Sequence, residues 1–341
     1  MSMILAVVTP ANDVLATWQH IRFGKKLQKT ELTAPPLFII GHWRSGTTLL
    51  HELLMLDPRL VCPDTYQCFA PCHFLVSGWL FRNFGRWLLP NKRPMDNVAA
   101  GWDRPQEDEF ALMNLGLPSP YRRIAFPRNE IPDLDYLDLR QIPPAERASW
   151  LQGLERFLKA ITVAQAGRVV LKSPTHTGRI GLLSEHFPGA KFLHITRDPR
   201  SLFPSTLKMW RSLDATQGLQ KPTPEPDKQY VLSCFEKMYR AFHRDRDSVP
   251  KENLLDIRYE DLVAEPEQTL RRVYQELDLG DFEPLEAPLK GWIEQHHRGY
   301  QVNQHALLPA DEAAIHSRWA EYFDRYGYPQ GDSPASPAVS E

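Results

Sequence analysis

The sequence predicts an α/β fold, a single domain built on a doubly wound, mainly parallel sheet flanked by helices. Three observations predict it. Short apolar runs recur at Leu37-Phe38-Ile39-Ile40, Arg168-Val169-Val170-Leu171, Lys191 to Thr196 and Leu254-Leu255-Asp256-Ile257. Runs of this kind suit strands buried on both faces of a parallel sheet. Helix-length segments separate them, the order expected of strand–helix–strand units. The 341 residues, 42% hydrophobic and 24% charged, suffice for one large core without covalent staples.

The elements follow in order. Asp13 to Lys29, with Leu15, Trp18 and Ile21, predicts a helical arm within residues 1–34, stopped by Pro35 and Pro36. After the first strand, a helix is expected from Thr47 to Leu56, ended by Asp57-Pro58. Residues 60–105 read as irregular and aromatic. Within them Trp79, Leu80, Phe84, Trp87 and Leu88 oppose Arg82, Asn83 and Arg86, a short basic amphipathic segment over 79–88. It suits either a lid or core helix, or peripheral contact with a membrane surface. Asp103 to Leu117, Pro143 to Ala166, Thr177 to His186, Asp198 to Trp210, Gln229 to Arg246 and Pro266 to Leu277 are expected helices. The main domain spans 35–328, and the Gly-, Ser- and Pro-rich tail 329–341 is expected to be disordered.

The chemistry concentrates at Gly41-His42-Trp43-Arg44-Ser45-Gly46-Thr47-Thr48, between the first strand and its helix. The glycines allow a tight turn and close backbone approach, and the amides of a helix start attract phosphate. The fold is therefore P-loop-like. Gly41 and Gly46 have Walker A spacing, but Thr47 stands where that loop needs Lys. The cation has moved back to Arg44. No strand ends in the Asp of a nucleotide hydrolase; the second ends Leu171-Lys172-Ser173-Pro174 and the third His194-Ile195-Thr196-Arg197. Both strand ends present cations, so the site is expected to hold anions without a metal. A P-loop kinase or nucleotide hydrolase is the alternative, and it predicts Mg·ATP binding.

These residues resemble the sulfotransferases that use 3′-phosphoadenosine 5′-phosphosulfate (PAPS). The resemblance covers Pro36 to Tyr328 and is nearest to bacterial sulfotransferase-family proteins, more distantly to the tyrosylprotein sulfotransferases. Arg44-Ser45-Gly46-Thr47-Thr48 is similar to their loop for the 5′-phosphosulfate, and Arg197 with Ser205, eight residues on, to their 3′-phosphate pair. Lys172-Ser173-Pro174 and Arg258-Tyr259-Glu260-Asp261-Leu262 also look like the family. The resemblance implies PAPS as co-substrate and transfer of its sulfuryl group to a hydroxyl acceptor by in-line displacement. Two features depart from the small cytosolic enzymes of animals. Arg44 replaces a Lys, and their Lys-Thr-His segment with its catalytic histidine has no counterpart.

On this reading Arg44 and Lys172 flank the transferred group, while Arg44, Ser45, Gly46, Thr47, Thr48, Arg197 and Ser205 bind the cofactor. Arg298, in His296-His297-Arg298, is a further binding candidate, because the family often closes this site with a basic C-terminal segment. The acceptor needs a base. Glu107 ranks first within Glu107-Asp108-Glu109, then His176, then Asp64. The same acids in a first helical turn could instead simply offset the helix dipole. Residues 119–121 and 70–95 are expected acceptor walls, suited to a lipophilic alcohol, a phenol or a lipid-linked sugar.

Other classes are disfavoured. Lys plus Arg (40) nearly balances Asp plus Glu (42), so no global basic field points to nucleic acid. Cys62, Cys68, Cys72 and Cys234 make no disulfide framework, and with His73 they match no standard zinc spacing. No apolar run approaches a membrane span, and the start lacks signal-peptide features. A soluble, cytoplasmic protein is expected.

Overall fold

The structure, a computed structural model, describes residues 2–84, 101–128, 133–221, 227–296 and 307–329. Five strands form one parallel sheet: β1 (Leu37–Ile40), β2 (Leu60–Val61), β3 (Arg168–Lys172), β4 (Lys191–Thr196) and β5 (Leu254–Arg258), in the order β2-β3-β1-β4-β5. β1 is central, with Leu37 level with Val170 on one side and Lys191 on the other. The chain fills one side of β1, then crosses to the other. A crevice is therefore expected where β3, β1 and β4 end.

Helices cover both faces. They are α1 (Ser2–Lys29), α2 (Thr47–Leu54), α3 (Thr65–Phe69), α4 (Phe74–Phe84), α5 (Asp108–Asn114), α6 (Arg122–Ala125), α7 (Pro144–Ala164) and α8 (Ile180–His186). Then come α9 (Pro199–Thr216), α10 (Lys228–Asp245), α11 (Tyr259–Ala264), α12 (Pro266–Glu276), α13 (Glu283–His296), α14 (Pro309–Arg318) and α15 (Ala320–Tyr326). Side chains alternate across a strand, and β1 shows the result. Leu37 and Ile39 join a core with Leu50, Leu53, Leu193, Leu270, Val273 and Leu289, under α2, α12 and α13. Phe38 and Ile40 join the opposite core with Trp150, Phe157, Phe192, Phe235, Phe242 and Trp319, under α7, α10 and their neighbours.

Five expectations are corrected. A fifth strand, β2, is present; two residues are too few to show periodicity. Residues 60–105 are not wholly irregular, since β2, α3 and α4 lie there. The helix expected over Asp103–Leu117 shrinks to α5, because the preceding residues run beside the segment after β2. Thr65 N donates to Arg104 O at 2.9 Å and Gln106 N to Pro63 O at 3.0 Å. The helix expected from Thr177 starts as a 3-10 turn, Pro174–Arg179, that continues into α8. The arm, α1, begins earlier than Asp13 and lies against α4 and α7, with Gln19 Oε1 accepting Leu75 N at 2.8 Å.

Candidate active site

The loop after β1 is shaped by two glycines and one strained arginine. Gly41 has φ 148° and Gly46 φ 104°, and at either a β-carbon would collide. At Gly41 it would meet Ile195 O at 2.5 Å, and at Gly46 the Tyr259 ring at 2.3 Å. The loop is thereby pressed onto β4 and onto the residue after β5. Thr177 Oγ1 accepts Gly41 N at 2.8 Å and donates to Gly41 O at 3.1 Å, locking the turn from the β3 side. Arg44 sits at φ 68°, a conformation non-glycine residues seldom hold without a functional reason. Gly46 leaves the start of α2 without a side-chain cap, so its first amides face the loop. Ser45 Oγ is buried with no hydrogen-bond partner. A buried hydroxyl in that state at a helix start fits an anion-binding cradle.

Arg44 ties this cradle to the second expected phosphate site. Its Nε donates to Ser205 Oγ at 3.0 Å, and its carbonyl accepts Arg197 Nη1 at 2.8 Å. The Arg197 guanidinium lies 4.4 Å over the Tyr259 ring, and its backbone N donates to Tyr322 Oη at 3.1 Å. Ser205 enters on α9, whose Thr206 Oγ1 donates to Trp43 O at 3.2 Å. The spacing of Arg197 and Ser205 thus becomes proximity at the loop. An anion there would meet a fork of N–H groups and a hydroxyl.

The consecutive acids Glu107, Asp108 and Glu109 separate by environment. Glu107, before α5, stays partly open: its side chain is 17% exposed and Lys172, at the end of β3, 4%. Lys172 Nζ donates to Glu107 Oε1 at 2.7 Å, while Tyr121 Oη donates to Oε2 and accepts Trp43 Nε1 at 2.9 Å. Asp108 and Glu109 are fully buried. Asp108 accepts from Ser173 Oγ at 2.7 Å and pairs with His176 Nε2 at 2.6 Å. Glu109 accepts from Arg179 at 2.6 and 3.1 Å, Ser119 Oγ at 2.6 Å and Thr175 Oγ1 at 2.7 Å. Burial alone would raise both carboxyl pKa values. The His176 ring offsets this for Asp108 and the Arg179 charge for Glu109, and both end below their ordinary values.

Arg44, Ser45, Gly46, Thr47, Thr48, Lys172, Arg197, Ser205 and Glu107 therefore gather at the ends of β1, β3 and β4. His176 does not join them. Its ring is fully buried, with Nε2 on Asp108 and Nδ1 at 3.2 Å from Arg179, so no acceptor reaches it. Asp64 is the N-cap of α3 in a reciprocal capping box with Gln67. Arg298 and residues 85–95 of the expected acceptor wall lie outside the described residues. Tyr259, Thr177 and Trp43 shape the site without a sequence signal that marks them for it. Tyr259 lies in the Arg258–Leu262 segment, and its approach to Gly46 reaches from the end of β5 past β4 to the loop after β1. Among the described residues, no group of three or more His, Cys, Asp or Glu side chains is placed to hold a metal ion.

The chain belongs to the sulfotransferase family, whose profile matches residues 35–284. It is 41% identical over 327 residues to the omega-hydroxy-beta-dihydromenaquinone-9 sulfotransferase Stf3 of Mycobacterium bovis, spanning 96% of this chain and 84% of that protein. The Mycobacterium tuberculosis Stf3 shows the same identity and coverage. Among solved structures, sulfotransferase STF9 from Mycobacterium avium matches with a TM-score of 0.68 at 21% identity, covering 90% of this chain and 80% of that one. STF1 from Mycobacterium tuberculosis matches with a TM-score of 0.63 at 18% identity, covering 90% and 81%. The two structures establish a shared fold, and the family match makes the chain a sulfotransferase. The kinase alternative finds no support among these relatives.

Proposed function

We propose that this enzyme moves the sulfuryl group of PAPS to the hydroxyl of a lipid-like acceptor by in-line displacement. The observation that carries the reading is the triangle of Arg44, Arg197 and Ser205 beside the orphaned Ser45 hydroxyl. One anion fits the loop and another fits the Arg197–Ser205 pair, and PAPS carries two such groups. When bound, PAPS supplies the activated sulfuryl group, and adenosine 3′,5′-bisphosphate departs. Residues 45–48 hold the phosphosulfate end through backbone amides and the hydroxyls of Ser45, Thr47 and Thr48. Arg197 and Ser205 hold the 3′-phosphate, with Arg298 a third contact.

Lys172 and Arg44 stabilise the charge spread over the transferring group. Glu107 takes the acceptor's proton. Each of its oxygens accepts one hydrogen bond, from Lys172 or Tyr121, and retains a lone pair for the incoming hydroxyl. The acceptor class extends that named for the mycobacterial relatives. An aromatic series supports it: Phe69 stacks on Phe110 at 6.2 Å, and Phe110 meets Tyr121 at 5.1 Å. These rings lead from the exposed Phe69 to the residue that holds Glu107. The proposed setting is cytoplasmic, on cysteine usage.

Thermal stabilisation tests the reading. 3′,5′-Adenosine bisphosphate should raise the melting temperature, with ~2.7 kcal/mol of stabilisation at a hundredfold excess over Kd. Arg197→Ala should abolish most of the shift. A shift with Mg·ATP and none with the bisphosphate would sink the PAPS reading.

A further inference from the structure

Helix α1 carries apolar side chains on its outer face as well as on its packed one. Its packed face carries Leu15, Ala16, Gln19, Phe23 and Leu27. At ~100° per residue the opposite face falls on Val14, Trp18, Ile21 and Lys25, within an arc of ~60°. Val14 is 68% exposed, Trp18 54% and Ile21 77%. Helix α4, packed against α1, adds Trp79 at 71% and Leu80 at 51%. Five of the nine large exposed hydrophobics among the described residues thus lie on these two touching helices. Scattered apolar residues are ordinary on a surface, whereas a cluster marks an interface.

The charges beside the stripe indicate what covers it. Arg22, Lys25, Lys26 and Lys29 are all exposed, and Asp13 is the sole acid between residues 9 and 29. Tryptophan and aliphatic side chains beside Lys and Arg suit the boundary between anionic headgroups and acyl chains. No described helix is long and apolar enough to cross a membrane, so contact through this face would be peripheral.

We infer that the outer face of α1, extended by Trp79 and Leu80 of α4, docks the enzyme onto an anionic lipid bilayer. The location suits the reaction. α4 packs on α3, and α3 on α5, which Glu107 precedes. Helix contacts thus run from α1 through α4 and α3 to α5, and α3 and α5 carry Phe69 and Phe110. A lipid alcohol leaving the bilayer would then meet Phe69 and Phe110, whose rings lead to Tyr121 beside Glu107. That benefit rests on the proposed lipid acceptor; the docking does not.

The test is flotation of the full chain with vesicles, in the absence of any acceptor. The chain should float with phosphatidylcholine vesicles containing phosphatidylglycerol, less so with phosphatidylcholine alone, and less as salt is raised. Trp18→Ser with Ile21→Ser should weaken binding roughly tenfold or more, about 1.4 kcal/mol, with the melting temperature unchanged. Arg22→Glu with Lys25→Glu and Lys29→Glu should remove the preference for the anionic lipid. No flotation with anionic vesicles would overturn the inference, as would undiminished binding by the Trp18/Ile21 variant. So would a wild-type dimer that the same variant converts to a monomer, since a second copy would then cover the face. Failure of the lipid-acceptor reading would look different: vesicle binding intact, but transfer no better to a long-chain alcohol than to a water-soluble one.

Discussion

Glu107 and Glu109 are two residues apart, and the fold treats them in opposite ways. Glu109 is fully buried, with four donors around its two oxygens: Arg179 twice, Ser119 and Thr175. Arg179 is held in turn by Tyr136 O at 2.7 Å and stacks 4.4 Å over Trp150. Asp108 and His176 repeat the arrangement beside it. These residues form a plug that fixes the start of α5 to the end of β3. Glu107 lies just outside the plug and shares its carboxylate with Lys172 and Tyr121 at the rim of the crevice. A carboxylate with every lone pair engaged in the interior is architecture. One at the rim of the crevice, with a cation beside it and lone pairs to spare, is the one we propose for chemistry.

The largest expected effect falls on the plug. Glu109→Ala should cost ~3–5 kcal/mol, because it strands a buried guanidinium; chemical denaturation measures it. A loss below 1 kcal/mol would mean that water relieves Arg179 and that the plug is not structural. The same region sets acid stability. The folded pKa values of Asp108 and Glu109 lie below their ordinary 3.8 and 4.5. Their contribution is thus complete above those values and lost as pH falls through the depressed ones. The melting temperature should drop below about pH 4, and less steeply in Glu109→Gln, whose residual stability no longer depends on that proton.

The rim should respond in rate rather than stability. Lys172→Ala should lower kcat by ~10²–10³ while leaving bisphosphate binding in place. Loss of binding with kcat preserved would move Lys172 from the transferred group to the nucleotide. Arg197→Ala should weaken the bisphosphate by about 1.5–3 kcal/mol, one charged hydrogen-bonded contact. The smallest effect is expected at Phe110→Ala. It should raise KM for a long-chain alcohol roughly tenfold, about the worth of a partly lost apolar contact, and leave a short one unchanged. Equal effects on both alcohols would remove the aromatic series from the acceptor path.

The sequence made the loop legible because its signal is local: strand, two glycines, cation and helix fall within residues 37–56. Arg197 and Ser205 stand out through the spacing that the resemblance singles out, and the structure brings both against Arg44. The fates of the three acids were not legible. Their partners Ser173, Thr175, His176 and Arg179 lie more than 60 residues away, and no periodicity in 107–109 reports which side chain points inward. His176 shows the cost of judging by residue type, since an imidazole four residues after Lys172 suited a base until its burial was known. The outer face of α1 was hidden for a related reason. Trp18 and Ile21 look like core residues until the packed face of the helix is identified.

The most direct test of the division between plug and rim is the turnover of Glu107→Gln with PAPS and a lipid alcohol. Turnover should fall at least ~10²-fold, as for loss of a general base, with bisphosphate affinity retained. Full turnover in that variant would contradict the division, and the proton would have to leave by a route that does not pass through Glu107.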